Sequence, residues 1–532
     1  MYKNEKLLIG KNDKKEVNLL LNMANRHGLI TGASGSGKTI TLKVMAESFS
    51  AAGVPVFLAD VKGDLAGTAV MGEETEALVK RIDKLGLTKE WSYEKYPVHF
   101  WDLYGVKGHP IRTTVESVGP EILSMMLGLS EAQEGNLAIA FKIAEDEGLK
   151  LIDLKDLRLV LQYVAENKNN YTLKYGNITS QSVGVIQRSL LTLENQGADN
   201  FFGEPSLDIK DFIKYDGETG RGFINILDAV ELFKSPDLYA SFLLWLLTTL
   251  FNTLPEVGDL DKPKIVFFFD EAHLLFNALP AYRLKQIIQV VKLIRSRGIG
   301  LYFISQGPTD IPDEVLAQLG NRVQHTLRAY TPAEQKNVKA AANAFRTNPN
   351  FNTEEAILAL GTGEALVSFQ NEKGEPEIVE KVTILPPQSK MGVIDDMTRN
   401  KIINNSIFCG KYDERIENES AYEAVTKKQE EQAQKEAEEK ARIEEEKRRI
   451  QEEKEAEKAR KEEEKLKKEQ ERLEKEKLRE EEKKKREAEK ERKNSIEYKL
   501  GKKVANKAAD KVINKGLNAI LKGLSSTLSK RK

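Results

Sequence analysis

Short, continuous apolar runs recur along the first four hundred residues. Val54 to Asp60, Val98 to Asp102, Gly222 to Leu227, Lys264 to Asp270, Ile299 to Ser305, Arg322 to Leu327 and Glu364 to Phe369 are the clearest. Each is too short for a helix core, is rich in β-branched or aromatic residues, and is followed by a stretch with helical spacing. Unbroken apolar strands alternating with helices predict a mostly parallel sheet covered on both faces. Between about 117 and 200 no such run occurs. There Glu121 to Leu129, Asn136 to Glu145 and Ser182 to Leu193 place apolar residues at helical intervals, which predicts a helical insertion. The most apolar stretch, Leu238 to Phe251, is too short to span a bilayer. It reads as a buried helix, with Ser235 placed to cap it and Pro236 in its first turn.

From about residue 426 the pattern changes to Glu, Lys, Arg, Gln and Ala, and it stays so to about 493. Glu444 to Arg448, Glu445 to Arg449, Glu463 to Lys467 and Glu464 to Lys468 are acid-to-base pairs at i,i+4, each worth a few tenths of a kcal/mol to a helix. Ile443 and Ile450 stand a heptad apart, as do Leu466 and Leu473, but the register breaks between the two pairs. A solvated single helix fits this pattern better than a tight coiled coil. After Asn494 a short basic tail follows, with Leu500, Val504, Val512, Leu517, Ile520 and Leu524 set among lysines. Its amphipathic character suits an anionic membrane surface, a protein partner, or folding back on the body. The expected organisation is a globular domain over 1–412, a linker over 413–425, a charged helix or coiled coil over 426–493, and the tail over 494–532.

The 532 residues carry a net charge of only -1, so no global basic excess advertises nucleic acid, and any such contact must be local. The single cysteine, Cys409, excludes an internal disulfide and a cysteine metal site, which fits a reducing cytoplasm. No signal-type apolar core follows Met1. The expected location is cytoplasmic, with peripheral membrane contact as an option for the tail.

The chemistry starts at Gly32-Ala33-Ser34-Gly35-Ser36-Gly37-Lys38-Thr39, which fits G-x-x-x-x-G-K-[ST]. It lies between a short apolar strand, Gly28 to Thr31, and a helical stretch. A strand, a glycine turn and a helix N-terminus aim backbone N–H groups and the positive end of the helix dipole at one point. Lys38 is placed to reach the β- and γ-phosphates of ATP, and the Thr39 hydroxyl to bind Mg²⁺. The run Ile265 to Phe269 ends in Asp270-Glu271, two carboxylates at the end of a buried strand. Asp270 suits the Mg²⁺ shell, and Glu271 suits the base that takes a proton from the attacking water. His273 completes the letters Asp-Glu-Ala-His and reads as structural. Gln306, at the end of the next strand, is the candidate sensor of the γ-phosphate. Asp60 ends the strand after the P-loop helix and either faces the nucleotide or caps a helix. A motor of this kind needs a transition-state cation, often supplied by the neighbouring subunit, and Arg295, Arg297 and Arg322 are the candidates, with Arg322 the first choice.

These residues resemble the HerA-like bacterial ATPases of the HerA/FtsK branch of P-loop motors. The likeness is carried by Gly28 to Thr39, Ala59 to Leu65, Phe141 to Ala144, Gln187 to Glu194, Leu254 to Pro263, Phe268 to Phe276 and Leu319 to His325, together covering about 5–412. The resemblance implies a RecA-type α/β fold, Mg-ATP hydrolysis and a homo-hexameric ring, and in the wider branch such rings pump double-stranded DNA. HerA proper carries a β-barrel domain ahead of its P-loop, whereas about thirty residues precede it here, so the resemblance does not extend to the barrel-mediated nuclease partnership. A motor on DNA is the leading reading. An ATP-switched interaction protein, using its arm and tail to engage a membrane or protein, is the second. A small-molecule kinase fits poorly, because the gap between the P-loop and Asp270 is long.

Overall fold

Phe267, Phe268 and Phe269 are all fully buried, yet they belong to two different cores. Successive side chains of a strand point to opposite faces, so a run like this requires a sheet covered on both sides. The computed structural model, which describes residues 1–277 and 281–491, has that architecture. Its strands are β1 (Tyr2–Lys3), β2 (Lys6–Lys11), β3 (Glu16–Leu20), β4 (Gly28–Thr31), β5 (Val56–Asp60), β6 (Val98–Asp102) and β7 (His109–Pro110). They continue with β8 (Ile224–Asp228), β9 (Ile265–Phe269), β10 (Ile299–Ser305), β11 (Asn321–Gln324), β12 (Glu364–Ser368) and β13 (Glu380–Ile384). One sheet takes them in the order β1-β2-β13-β12-β11-β4-β10-β9-β5-β8-β6-β7, with β3 on β2.

From β11 to β7 every pairing is parallel, and from β11 through β12, β13 and β2 every pairing is antiparallel. The two halves have the burial their geometry demands. β5, β6, β8, β9 and β10 are buried at every position, whereas β3 alternates buried and partly exposed residues. β12 is the one apolar run that departs from the expectation of a parallel strand: it returns antiparallel beside β11.

On one face Phe57, Phe267, Phe269 and Phe303 pack beneath the helical insertion. Its helices are Val115–Met126, Glu131–Asp146, Leu154–Glu166, Lys168–Tyr175 and Ser180–Asn195. The apolar helix Pro236–Thr253 joins the same core, with Ser235 at its N-cap position but no capping hydrogen bond from the Ser235 side chain. On the other face Phe49 of the P-loop helix, Lys38–Ala51, packs with Leu58, Phe268 and Tyr302. The α/β class with a mostly parallel central sheet is therefore the fold.

The stretch 413–425, which composition reads as a linker, is packed against the body. Tyr412 and Val425 are buried in the insertion-side core. The Tyr412 hydroxyl donates to Asp211 Oδ2 at 2.6 Å, Asp413 sits 2.8 Å from His109 Nδ1, and the Ala421 N–H donates to the Lys150 carbonyl at 2.8 Å. The first compact unit accordingly runs Met1–Gln432 and the second begins at Ala433. In the second unit the described residues are helical to Glu491, the end of the helix Ala421–Glu491. Glu464 and Lys468 pair at 2.8 Å, while Ile443, Ile450, Leu466 and Leu473 are exposed. The basic tail lies outside the described residues.

Candidate active site

The parallel half of the sheet gathers the sequence-predicted site at the C-terminal ends of its strands, where open α/β sheets bind ligands. β10 lies between β4 and β9, with Ser305 level with Thr31 and Phe303 level with Phe269. One strand therefore separates the P-loop from Asp270-Glu271.

The P-loop needs glycine at particular places. A Cβ on Gly32 would stand 2.5 Å from His325 Cβ and 2.7 Å from Ser36 Oγ. Gly37 caps the P-loop helix with φ at +113°, a left-handed conformation that favours glycine. The Ala33 N–H donates to the Thr326 carbonyl at 2.8 Å, and the Gly363 N–H donates to the Ser36 carbonyl at 3.0 Å, so β11 and the turn before β12 hold the loop from outside. Lys38 is buried and donates to the carbonyls of Gly32 at 2.6 Å and Ala33 at 3.2 Å. Burial lowers its pKa, helped by Lys62 and opposed by Glu271, Asp270 and Asp310. Thr39 sits in the first turn of that helix, half-buried.

The Tyr239 hydroxyl donates to the Asp270 carbonyl at 2.8 Å, and the Ala272 N–H donates to the Ile304 carbonyl at 3.0 Å. Together they fix the turn that presents the two acids. Burial pushes the Asp270 carboxyl up to about 6, and the neighbouring Glu271 adds to the rise. Glu271 holds φ at +49°, which a non-glycine residue adopts at a cost of about 1 kcal/mol or more. Its Oε2 is buried without a hydrogen-bond partner, and His273 Nδ1 lies 3.4 Å away. Gln306 follows β10, is exposed, and lines a cavity of about 370 Å³ with Ala33, Ser34, His273, Asp310 and Arg328.

Arg322 is engaged within its own chain. It sits on β11 level with Leu29, short of the P-loop end of the sheet. Its guanidinium donates to the carbonyls of Leu319 at 3.0 Å, Leu316 at 2.9 Å and Ala344 at 3.2 Å. With its donors on three backbone acceptors, Arg322 clamps the helix Asp313–Leu316 and its flanks. Arg297 donates to the Leu254 carbonyl and lies over the Phe251 ring, and Arg295 reaches Asp259. Asp60 is resolved as well. Its Oδ1 accepts from Lys62 and Gly63 N–H at 3.2 and 2.7 Å, and its Oδ2 accepts from Leu65 N–H at 2.9 Å. Both oxygens are thus spent shaping the loop after β5, and burial raises this carboxyl to about 6.

Three neighbours escaped the sequence reading. His325 bridges the Thr41 hydroxyl, 2.8 Å from Nε2, and the Glu364 carbonyl, 3.0 Å from Nδ1. A carbonyl only accepts, so Nδ1 carries the proton and Nε2 accepts from Thr41. Burial holds this ring down to about 4, neutral behind the P-loop. Asp310 accepts from the Ser305 hydroxyl at 2.6 Å and the Gly307 N–H at 2.8 Å, ordering the turn that carries Gln306. Lys62 lines the other side of the P-loop with Lys38 and Thr39. Its only signal was its place inside Asp60-Val61-Lys62-Gly63-Asp64.

A P-loop, a half-buried Asp-Glu pair one strand away and a mostly parallel two-faced sheet define a RecA-type P-loop ATPase. The chain belongs to the Helicase HerA-like C-terminal family, whose model matches residues 5–532. It is 23% identical over 419 residues to the DNA double-strand break repair helicase HerA of Saccharolobus solfataricus, covering 75% of this chain and 69% of that protein. Similar solved structures include the plasmid coupling protein TrwB with the non-hydrolysable GTP analogue GDPNP. That match has a TM-score of 0.45 and 13% identity, over 72% of this chain and 89% of that one. VirB4 of Thermoanaerobacter pseudethanolicus matches with a TM-score of 0.45 and 15% identity, over 72% and 97%. Among the described residues no helix is long and apolar enough to cross a membrane.

Proposed function

We propose that this ATPase is a motor that moves duplex DNA, working as a homo-hexameric ring. The observation that carries the hydrolytic part is the half-buried Asp270-Glu271 turn set one strand from Lys38. Lys38 and the free N–H groups at the helix start hold the β- and γ-phosphates. Glu271, with one oxygen buried and unpartnered, takes the proton of the attacking water. Gln306 reads the γ-phosphate from the cavity it shares with Ala33 and Ser34.

The donor set suits Mg²⁺. A hydroxyl and a carboxylate are hard oxygen ligands, and the half-buried, mutually repelling Asp270 and Glu271 favour a cation. Thr39 and Asp270 would hold the ion, which would offset charge on the phosphates.

DNA is the substrate indicated by the family and by the named activity of the archaeal relative. A ring motor grips phosphates, so its affinity is sequence-independent and falls with salt. The test is steady-state ATPase with and without long duplex DNA across a salt series, beside Lys38→Ala and Glu271→Gln. Lys38→Ala is expected to lose tight nucleotide binding. Glu271→Gln should bind ATP but lose turnover about a hundredfold or more. Stimulation by DNA that fades with salt supports the motor. An assembled, ATP-competent protein that DNA does not stimulate at low salt is instead an ATP-switched interaction protein.

A further inference from the structure

The three arginines best placed by sequence to neutralise a transition state are all engaged elsewhere in the chain. Another cation stands at the P-loop itself. Lys62 is exposed on the loop that leaves β5, and among the described residues its ammonium has neither a hydrogen-bond nor an ion-pair partner. β5 is the direct neighbour of β9, with Leu58 level with Phe268, so this loop leaves the sheet beside Asp270. Its backbone is pinned by the three N–H groups that Asp60 accepts. A cavity of about 340 Å³ joins Lys62 to Gly37, Lys38, Thr39, Lys43 and Asp64. In that cavity Lys38 is bound to P-loop carbonyls and Lys43 to the Lys390 carbonyl, which leaves Lys62 as the uncommitted ammonium.

We infer that Lys62 is a catalytic cation acting within its own subunit, placed to contact the γ-phosphate of bound ATP. Water oxygen forms a bond to the γ-phosphorus as its proton passes to Glu271. The bond from that phosphorus to the β,γ-bridging oxygen breaks, and its electron pair leaves on ADP. Negative charge gathers on the bridging and γ oxygens, and an ammonium carried beside them on a pinned loop lowers the barrier. The charge of Lys62 is already felt on both sides of the site, drawing the Asp270 carboxyl down and the Lys38 ammonium down. The inference rests on the ATPase site assigned above.

The experiment compares Lys62→Ala and Lys62→Arg with wild type and Glu271→Gln, measuring kcat, KM and the affinity for a fluorescent ATP analogue. Because Lys62 is exposed, thermal melting should match wild type. Lys62→Ala is expected to lose about a hundredfold in kcat while analogue affinity stays within about threefold, and Lys62→Arg should recover part of the rate. A mixture of Lys62→Ala and Glu271→Gln subunits should show no more turnover than the two alone. Recovery on mixing would mean that Lys62 serves a neighbouring subunit, and it overturns the in-subunit assignment. A kcat within about threefold of wild type in Lys62→Ala, or a loss of analogue binding like that of Lys38→Ala, also overturns it. Near-normal turnover in Glu271→Gln strikes instead at the underlying site, so the two failures are distinguishable.

Discussion

Replacing Asp270 by Asn should make the nucleotide-free protein more stable while abolishing its turnover. The folded protein raises this carboxyl from the ordinary 3.8 to about 6, through burial first and the Glu271 charge second. The folded state therefore binds the proton more tightly than the unfolded chain. Between those two values the folded state holds more protons, so stability falls as pH rises through the window, and the loss is complete above about pH 6. Two units at about 1.4 kcal/mol each set an upper figure of about 3 kcal/mol, and a partly solvated carboxyl should yield about 1–3 kcal/mol. Asn keeps the local geometry, because its Oδ1 can still accept the Glu271 N–H that Asp270 Oδ1 accepts at 3.0 Å. It removes only the charge. The assay is denaturant unfolding of both proteins, with chelator and without nucleotide, from about pH 4 to about pH 8. The variant should be more stable at the alkaline end, and the gap should close toward the acid end. Titrating groups that do not feel the Asp270 charge act in both proteins and cancel in the difference, and relief of the Glu271 repulsion adds to the gap in the same direction. A variant that is less stable at about pH 8, or a gap that does not change with pH, refutes the reasoning.

Arg322→Ala should cost about 2–3 kcal/mol by orphaning three carbonyls, yet leave kcat per folded molecule within about threefold; a collapse in kcat at unchanged stability would restore the catalytic role. Truncation after Lys411 should lower Tm sharply because it removes the buried Tyr412 and Val425, whereas truncation after Gln432 should leave Tm and ATP binding unchanged, as thermal melting will show. Burial holds His27 at about 4, His99 at about 3 and His325 at about 4, below the ordinary 6.5, so their share of stability is full above about pH 6.5 and is lost as pH falls toward 4. His325→Gln should reduce that acid loss in equilibrium unfolding, and an unchanged acid limb would contradict the neutral ring.

Much of the parallel half of the sheet could be read from the chain, because a strand buried on both faces must be apolar throughout. Lys264 to Asp270 and Ile299 to Ser305 left little choice. The antiparallel wing was less legible. The strands β2, β3 and β13 are as long as most of the parallel ones, but their buried positions alternate or scatter among charged residues such as Lys6, Glu16 and Lys381. The direction of β12 depends on how the chain returns past Pro332–Asn343 and Thr353–Leu358, which no local pattern encodes. The P-loop and the Asp-Glu pair were visible because their chemistry is carried by adjacent residues. His325, Asp310 and the clamp of Arg322 were not, because each is defined by partners brought in by the fold: Thr41 and Glu364 for the first, the β10 turn for the second, Ala344 for the third. The stretch 413–425 misled for the same reason. Its composition is polar, but Asp413, Ala421 and Val425 find specific places on the body.

The arrangement at the strand ends also explains why so many unfavourable features are tolerated in one place. Two acids lie side by side in a half-buried turn, one of them on left-handed backbone with an oxygen that has no hydrogen-bond partner. Across a single strand, a buried ammonium is satisfied only by carbonyls of its own loop. The acids and the ammonium feel each other's charge across β10 but form no ion pair, because the intervening strand holds them apart. A phosphate chain suits Lys38 and the helix N-terminus, and a divalent cation suits Asp270 and Thr39. Binding both would relieve the two halves together. On this reading the mutual repulsion of Asp270 and Glu271 makes the empty site less stable than it needs to be for folding alone. The free energy released when ligands neutralise it then becomes part of what drives nucleotide binding.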